Sequence, residues 1–266
     1  MSDKTTAGDL FRAGKLTEAL ETANAEVRRS PGDLAPRLLL AELLLFAGNL
    51  ERADVILDAA AQIDPEAILV VSEFRQLLRA EMARRQFRRD GRLPEFLAEP
   101  TPALAETLAA HVALRAGDTA AAAEHAAAAE SLRPRTPGHS GGTKFDDFRD
   151  ACDLHAGFFE VLTTTGKYFW IPTERIETAE FHPPKRPRDL YWRRVTMSVQ
   201  QGPDGEVYVP ALYGTDDADQ EASLRLGRST DWVEIDGLVK GVGQRIYLAG
   251  DEAAGIQTLA ELEFAV

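Results

Sequence analysis

The chain has 266 residues and is 44% hydrophobic, enough for one large or two ordinary cored domains and too apolar for a disordered chain. Its formal net charge of −13 argues against nucleic acid as the main partner, because phosphate binding needs a basic field. A single cysteine, Cys152, excludes an intrachain disulfide framework or a cysteine-cluster zinc site and fits a reducing compartment.

Residues 1–135 read as helix after helix. No secretory leader is expected at the start, since no basic stretch precedes an apolar one. Ala13-Gly14-Lys15-Leu16, Ala47-Gly48-Asn49-Leu50 and Ala116-Gly117-Asp118-Thr119 are near-copies of one small turn. Gly14 and Gly48 are about 34 residues apart and Gly117 stands about twice that beyond, with Pro31, Pro65 and Pro134 on the same beat. That period is the mark of a tetratricopeptide-like α-α superhelix, an architecture that holds other proteins and seldom carries chemistry. Leu16, Ala19, Leu20, Ala23 and Val27 form one apolar stripe, whereas 38–46 is apolar nearly all round and predicts a helix buried on both sides. Glu42 interrupts that run, and no run approaches the ~18 apolar residues of a membrane span. Asp64-Pro65-Glu66 is a sound helix start. The third unit lacks its small turn, so one helix is expected over 66–89, ended at Asp90-Gly91, with a short piece at 95–99. The alanine-rich 119–130 is a strong helix former that packs closely or ends the array.

Residues 133–143, RPRTPGHSGGT, read as a linker. Phe145, Phe148, Cys152, His155, Phe159 and Leu162 fall at helical spacing, which predicts a bridging helix closed by Gly166. Beyond it the pattern turns to strands at 168–171, 195–199, 207–212, 245–248 and 260–266, the second and third forming a hairpin around Gly202-Pro203-Asp204-Gly205. The expected organisation is α+β: helical repeats over 1–135, linker and bridging helix over 136–166, and a mainly β, barrel-like domain over 167–266.

Catalytic and metal chemistry is weakly signalled. His111, His125, His139, His155 and His182 show no metal-binding spacing. Cys152 and His155, three apart on one expected helix face, are more often a buried thiol beside a satisfied ring than a nucleophile and base. Residues 138–144 lack the order and preceding strand of a phosphate loop, and Asp146-Asp147 fits a helix start. The arginine-rich stretches 75–92 and 185–194 read as solvated faces or, least favoured, together as a nucleic-acid surface, and the first also as a charged rim for a partner. The conspicuous residues are Trp170, Asp189, Trp192, Arg193, Tyr213, Arg228, Asp231 and Trp232. Such residues dominate protein interfaces, and they also fill small β cores. For Arg193 and Arg228 a buried pair with Asp189 or Asp231 is expected. A small-molecule site around Arg228, Asp231 and Trp170 is the alternative reading.

Five ordered blocks carry a family resemblance. They are 168–176 (YFWIPTERI), 186–193 (RPRDLYWR), 209–213 (VPALY), 226–232 (LGRSTDW) and 243–248 (GQRIYL). The chain resembles the ImpE (SciE, TagJ) family of type VI secretion accessory proteins over 145–266, and its repeats resemble that family's helical half. The resemblance implies a cytoplasmic, non-enzymatic protein with no cofactor, metal, nucleic acid or membrane partner. It implies a grip on the N-terminal helix of the contractile sheath's small subunit, with an influence on sheath assembly or on recycling by the AAA+ unfoldase. No catalytic residue comes with it.

Overall fold

The computed structural model describes residues 5–64, 67–214 and 220–265. Helices come first: α1 (Ala7–Arg12), α2 (Leu16–Arg29), α3 (Leu34–Phe46), α4 (Leu50–Ile63), α5 (Ile68–Asp90), α6 (Pro102–Ala116) and α7 (Thr119–Leu132). The repeat glycines do what the spacing predicts. Gly14, Gly48 and Gly117 sit at φ of 84, 75 and 81°, the left-handed region in which a Cβ is costly, and each joins two packed helices. The third unit is a single 23-residue helix ended by Gly91, because nothing between 68 and 90 breaks it. The expected start at Pro65-Glu66 lies outside the described residues. α7 packs closely on α6 through Ala110, Ala122 and Ala126.

The C-terminal region is mainly β. Its strands are β1 (Gly138–Ser140), β2 (Thr143–Phe145), β3 (Phe148–Asp150), β4 (Phe158–Leu162), β5 (Tyr168–Pro172), β6 (Ile176–Phe181), β7 (Trp192–Val199), β8 (Gly205–Pro210), β9 (Thr230–Ile235), β10 (Leu238–Gly243), β11 (Ile246–Ala249), β12 (Glu252–Gly255) and β13 (Glu261–Phe264), with a short α8 (Ala222–Arg225). Eight strands form one sheet in the order β2-β1-β13-β6-β7-β8-β4-β5; β9 and β10 form a separate ribbon, and β12-β11-β3 a third sheet. The hairpin around 202–205 is β7–β8. Val266, the end of the last expected strand, lies outside the described residues.

Two expectations are corrected. The sheet is open, not a barrel: β2 and β5 are its ends and do not pair. Its short β2 edge needs no closure, and the β5 edge is covered by backbone bonds from Glu95 N to Tyr168 O (2.8 Å) and Trp170 N to Glu95 O (3.1 Å). Within the short piece at 95–99, residue 95 is therefore a bridge to the sheet. The bridging helix over 145–162 is also absent. That segment runs through β3, a 3-10 turn at Asp153–His155, and β4, all five of whose residues are buried. A strand buried on both faces shows no alternation, so its aromatics mimic helical spacing. Asp147 likewise caps no helix; it pairs with Arg133 at 2.6 Å and fastens the proline-glycine tract to the sheet.

One hydrophobic core runs through both halves. Phe11, Phe46, Phe74, Leu77 and Phe87 of the helices pack with Phe158, Trp170, Tyr191, Trp192 and Leu226. The inward face of the repeat array is thus filled by the chain's own C-terminal region. A second cluster lies across the sheet, around Phe148, Phe159, Val195, Met197, Tyr247 and Leu262.

The buried helix α3 carries an acid, Glu42, with Arg188 Nε at 3.7 Å. Burial outweighs the arginine's attraction and pushes Glu42 from the ordinary 4.5 up to about 7. Between those values the folded state holds a proton that the unfolded chain has lost. The contribution is therefore favourable in acid and is lost as pH rises from about 4.5 to 7. Glu42→Gln is expected to gain stability over wild type at pH 8 relative to pH 5 in urea unfolding. An unchanged gap at the two pH values contradicts this.

Candidate functional site

Where α5 crosses the sheet, two arginines and three carboxylates are sealed inside. Glu160 on β4 accepts from Arg84 Nε (3.0 Å) and Nη2 (2.9 Å), from Arg245, and from the Tyr168 hydroxyl. Trp170 Nε1 donates to Tyr168 Oη at 2.6 Å. Arg245 also reaches Asp150 (2.9 Å), which accepts from Tyr213 Oη (2.8 Å). Arg84 donates onward to the carbonyls of Leu212 and Tyr213 and lies 3.3 Å from Glu81, which accepts from Trp192 Nε1 at 3.1 Å. Burial raises Asp150's pKa against the pull of Arg245. These groups hold one another, so they tie helix to sheet rather than present reactive atoms.

A second set of arginines closes helix ends. Arg228 donates to Phe11 O (2.6 Å), Arg225 to Phe46 O (2.7 Å) and Ala47 O (3.0 Å), Arg85 to Gly48 O (2.8 Å), and Arg115 to Phe87 O (3.2 Å). Each cation adds a hydrogen bond to a carbonyl in the last turn of a helix or just beyond it, where the helix dipole favours positive charge. Each of these carbonyls lies at a glycine turn; Arg225 and Arg228 hold the C-terminal region to two of them, while Arg85 and Arg115 tie helix to helix.

Trp170, Trp192, Asp189, Arg193 and Tyr213 are buried, whereas Arg228, Asp231 and Trp232 are exposed. The expected arginine–aspartate pairs are not formed. Arg193 donates to Gln257 Oε1 (3.4 Å) and Leu259 O (3.3 Å), tying β7 to the turn before β13. Asp189 instead takes Arg186 Nε (3.0 Å) and two backbone N–H groups of its own loop. Among the described residues the Asp231 carboxylate accepts from its neighbour's N–H. Arg228, Asp231 and Trp170 do not converge, so the alternative small-molecule site at those residues falls away.

Most of the 75–92 arginines are engaged within the chain. Arg75 pairs with Asp54 and Asp58, Arg84 lies in the core, Arg88 donates to Tyr213 O, and Arg89 pairs with Asp90. Cys152 and His155 do meet, Nδ1 to Sγ 3.3 Å. Burial and Asp150 push the thiol up to about 12, and burial holds the ring well below its usual range, so neither is poised to react. Among the described residues no group of three or more His, Cys, Asp or Glu is placed to hold a metal ion. No helix among them is long and apolar enough to cross a membrane.

Two surfaces remain. On α4 and the first turn of α5, Val55 is 67%, Ile68 54%, Leu69 79% and Val70 43% exposed, beside a shallow groove lined by Ala61, Val71, Arg75 and Arg79. Between α5–α6 and the β9–β10 ribbon lies a cleft of about 750 Å³.

The buried network was missed in the sequence. Glu160, one charge inside the apolar run FFEVL, was its available signal.

Residues 142–263 match the family model described as ImpE protein, and residues 10–78 match a tetratricopeptide repeat model. Over 265 residues the chain is 29% identical to the type VI secretion system accessory component TagJ of Pseudomonas aeruginosa, spanning 97% of this chain and 90% of that protein. A crystal structure of a protein from Vibrio parahaemolyticus is similar at a TM-score of 0.90 and 28% identity, over 98% of this chain and 97% of that one. The signature blocks that resembled ImpE proteins lie within or beside the residues that match the ImpE model and supply Tyr168, Trp170, Tyr191, Trp192 and Leu226 to the core shared with the repeats.

Proposed function

We propose that this protein is a cytoplasmic, non-enzymatic accessory component of a bacterial type VI secretion system. Its near full-length similarity to TagJ supports the system. In this reading it holds the N-terminal helix of the sheath small subunit and so acts on sheath assembly or on recycling by the AAA+ unfoldase. Core packing fills the array's inward face, and the outer α4–α5 face is read as the docking surface for its exposed apolar residues. The observation that carries this is the run Ile68, Leu69 and Val70, three consecutive exposed apolar residues on a helix. An amphipathic helix offers matching anchors at i, i+3, i+4 and i+7.

Calorimetry with a peptide of the sheath-subunit helix tests it. Replacing Leu69 and Val70 together by Asp is expected to weaken binding by about a hundredfold, since two desolvated anchors at ~1.4 kcal/mol each are lost. The unfolding midpoint should stay in place because both side chains are exposed. Undiminished affinity in the double variant sinks the assignment of this face.

A further inference from the structure

The groove beside the α4–α5 patch differs at its two ends. It runs along one face of α5, past Ile68, Ser72, Arg75 and Arg79. Ile68 and Arg79 lie three turns apart on that face, about 16 Å along the helix axis. Apolar surface is gathered at the Ile68 end, where Ile68, Leu69 and Val70 are exposed. Residues 65–66, outside the described residues, adjoin that end and not the other. In the middle, charge is cancelled. Arg75 donates to Asp54 through Nε (2.7 Å) and Nη2 (3.0 Å) and to Asp58 through Nη1 (2.6 Å), so one cation holds two acids of α4.

At the far end a charge is left over. Arg79 is exposed, and among the described residues its guanidinium makes no ion pair; Nη1 donates to Gln76 Oε1 at 3.2 Å. An amide oxygen is neutral, so the arginine keeps its charge and most of its five donors. Its base is held in place. The turn between β4 and β5 backs Gln76 so closely that a Cβ on Gly166 would come within 2.5 Å of Gln76 Oε1 and 3.6 Å of Arg79 Cβ. Gly166 has φ of 84°, so the turn needs a glycine for its own backbone, and the missing side chain is the room that Gln76 and Arg79 use. A side chain fixed at its base loses less freedom when it binds.

We propose that Arg79 sets the register of the docked helix: three turns from the apolar residue that meets Ile68, the partner carries a carboxylate that pairs with Arg79. This rests on the sheath-helix reading and adds to it the partner's chemistry and spacing. The planar fork of an arginine matches both oxygens of a carboxylate. Arg75 is already taken by its two acids, so a partner acid is drawn to the end of the groove and not to its middle. One unpaired cation in a chain of net charge −13 makes no basic field, so a single carboxylate fits it and a polyanion does not.

The test is calorimetry with the sheath-subunit helix peptide, at low and at high salt, on the full-length protein and on Arg79→Glu. The exposed position should leave the unfolding midpoint of the variant in place. Arg79→Glu is expected to bind about tenfold more weakly than wild type at low salt, and the gap should close at high salt, where an ion pair is screened. Acidic residues of the peptide are then changed to lysine one at a time. Binding to Arg79→Glu should return at one position only, the acid three turns from the apolar anchor. Equal affinities of wild type and Arg79→Glu, or no lysine peptide that restores binding, overturn the proposal. The Leu69→Asp/Val70→Asp variant is measured alongside. Binding lost there but intact in Arg79→Glu keeps the docking face and removes the carboxylate. No change in either variant, or no binding by wild type, removes the face and the carboxylate together.

Discussion

Glu160→Ala is expected to cost about 3–5 kcal/mol of folding stability, read as a lower urea midpoint with an unchanged slope. Glu160 is 1% exposed and neutralises Arg84 and Arg245, which arrive from opposite sides. Removing it leaves two buried guanidinium groups short of their shared anion and deprives the Tyr168 hydroxyl of its acceptor. Asp150 and Glu81 still compensate in part, which keeps the cost below that of two isolated charges. A domain has only ~5–15 kcal/mol in total, so this loss removes a large share of the margin that keeps the chain folded. Glu160→Gln keeps the shape but loses the charge and should fall between. A loss under about 1 kcal/mol for the alanine variant would show that the network contributes little to cohesion.

The second large effect separates two tryptophans that looked alike in the sequence. Trp192→Ala is expected to cost about 3–5 kcal/mol. Its indole is fully buried, edge-on to Phe74 (6.0 Å) and Tyr191 (5.4 Å), and its N–H satisfies Glu81. Truncation opens a cavity in the core shared by helices and sheet and strips a donor from a buried carboxylate. Trp232 sits on the ribbon, 41% exposed and 5.9 Å from the Tyr213 ring, so Trp232→Ala should cost under about 1 kcal/mol. Chemical denaturation of both variants decides it. Equal losses would mean that the ribbon is as much part of the core as β7.

What was legible in the sequence was local. Gly14, Gly48 and Gly117 announce left-handed helix ends by themselves, and an unbroken stretch from 68 to 90 can only be one long helix. The β7–β8 hairpin showed in its alternation and its turn. The segment 145–162 did not, because a short buried strand and a buried helix look alike until tertiary neighbours are known. Arginine partners were illegible for the same reason: Arg228 meets a carbonyl 217 positions away, not the aspartate three residues on. The β9–β10 ribbon was readable and went unread. Asp236-Gly237, with φ of 52 and 86°, is the residue pair that a tight hairpin turn favours. Of the eight conspicuous residues, the five buried ones owe their character to packing, which composition alone does not separate from binding.

The repeat array is closed inward by its own β region, and the docking face proposed for a partner is its outer α4–α5 surface. Amide hydrogen exchange of the full chain, with and without the sheath-subunit helix peptide, tests this most directly. Slower exchange is expected in the first turns of α5, from Ile68 to Arg75, and along α4 around Val55, with the β9–β10 ribbon unchanged. Unchanged exchange on α4 and α5, with new protection in the ribbon or at the α1–α2 end, would contradict it.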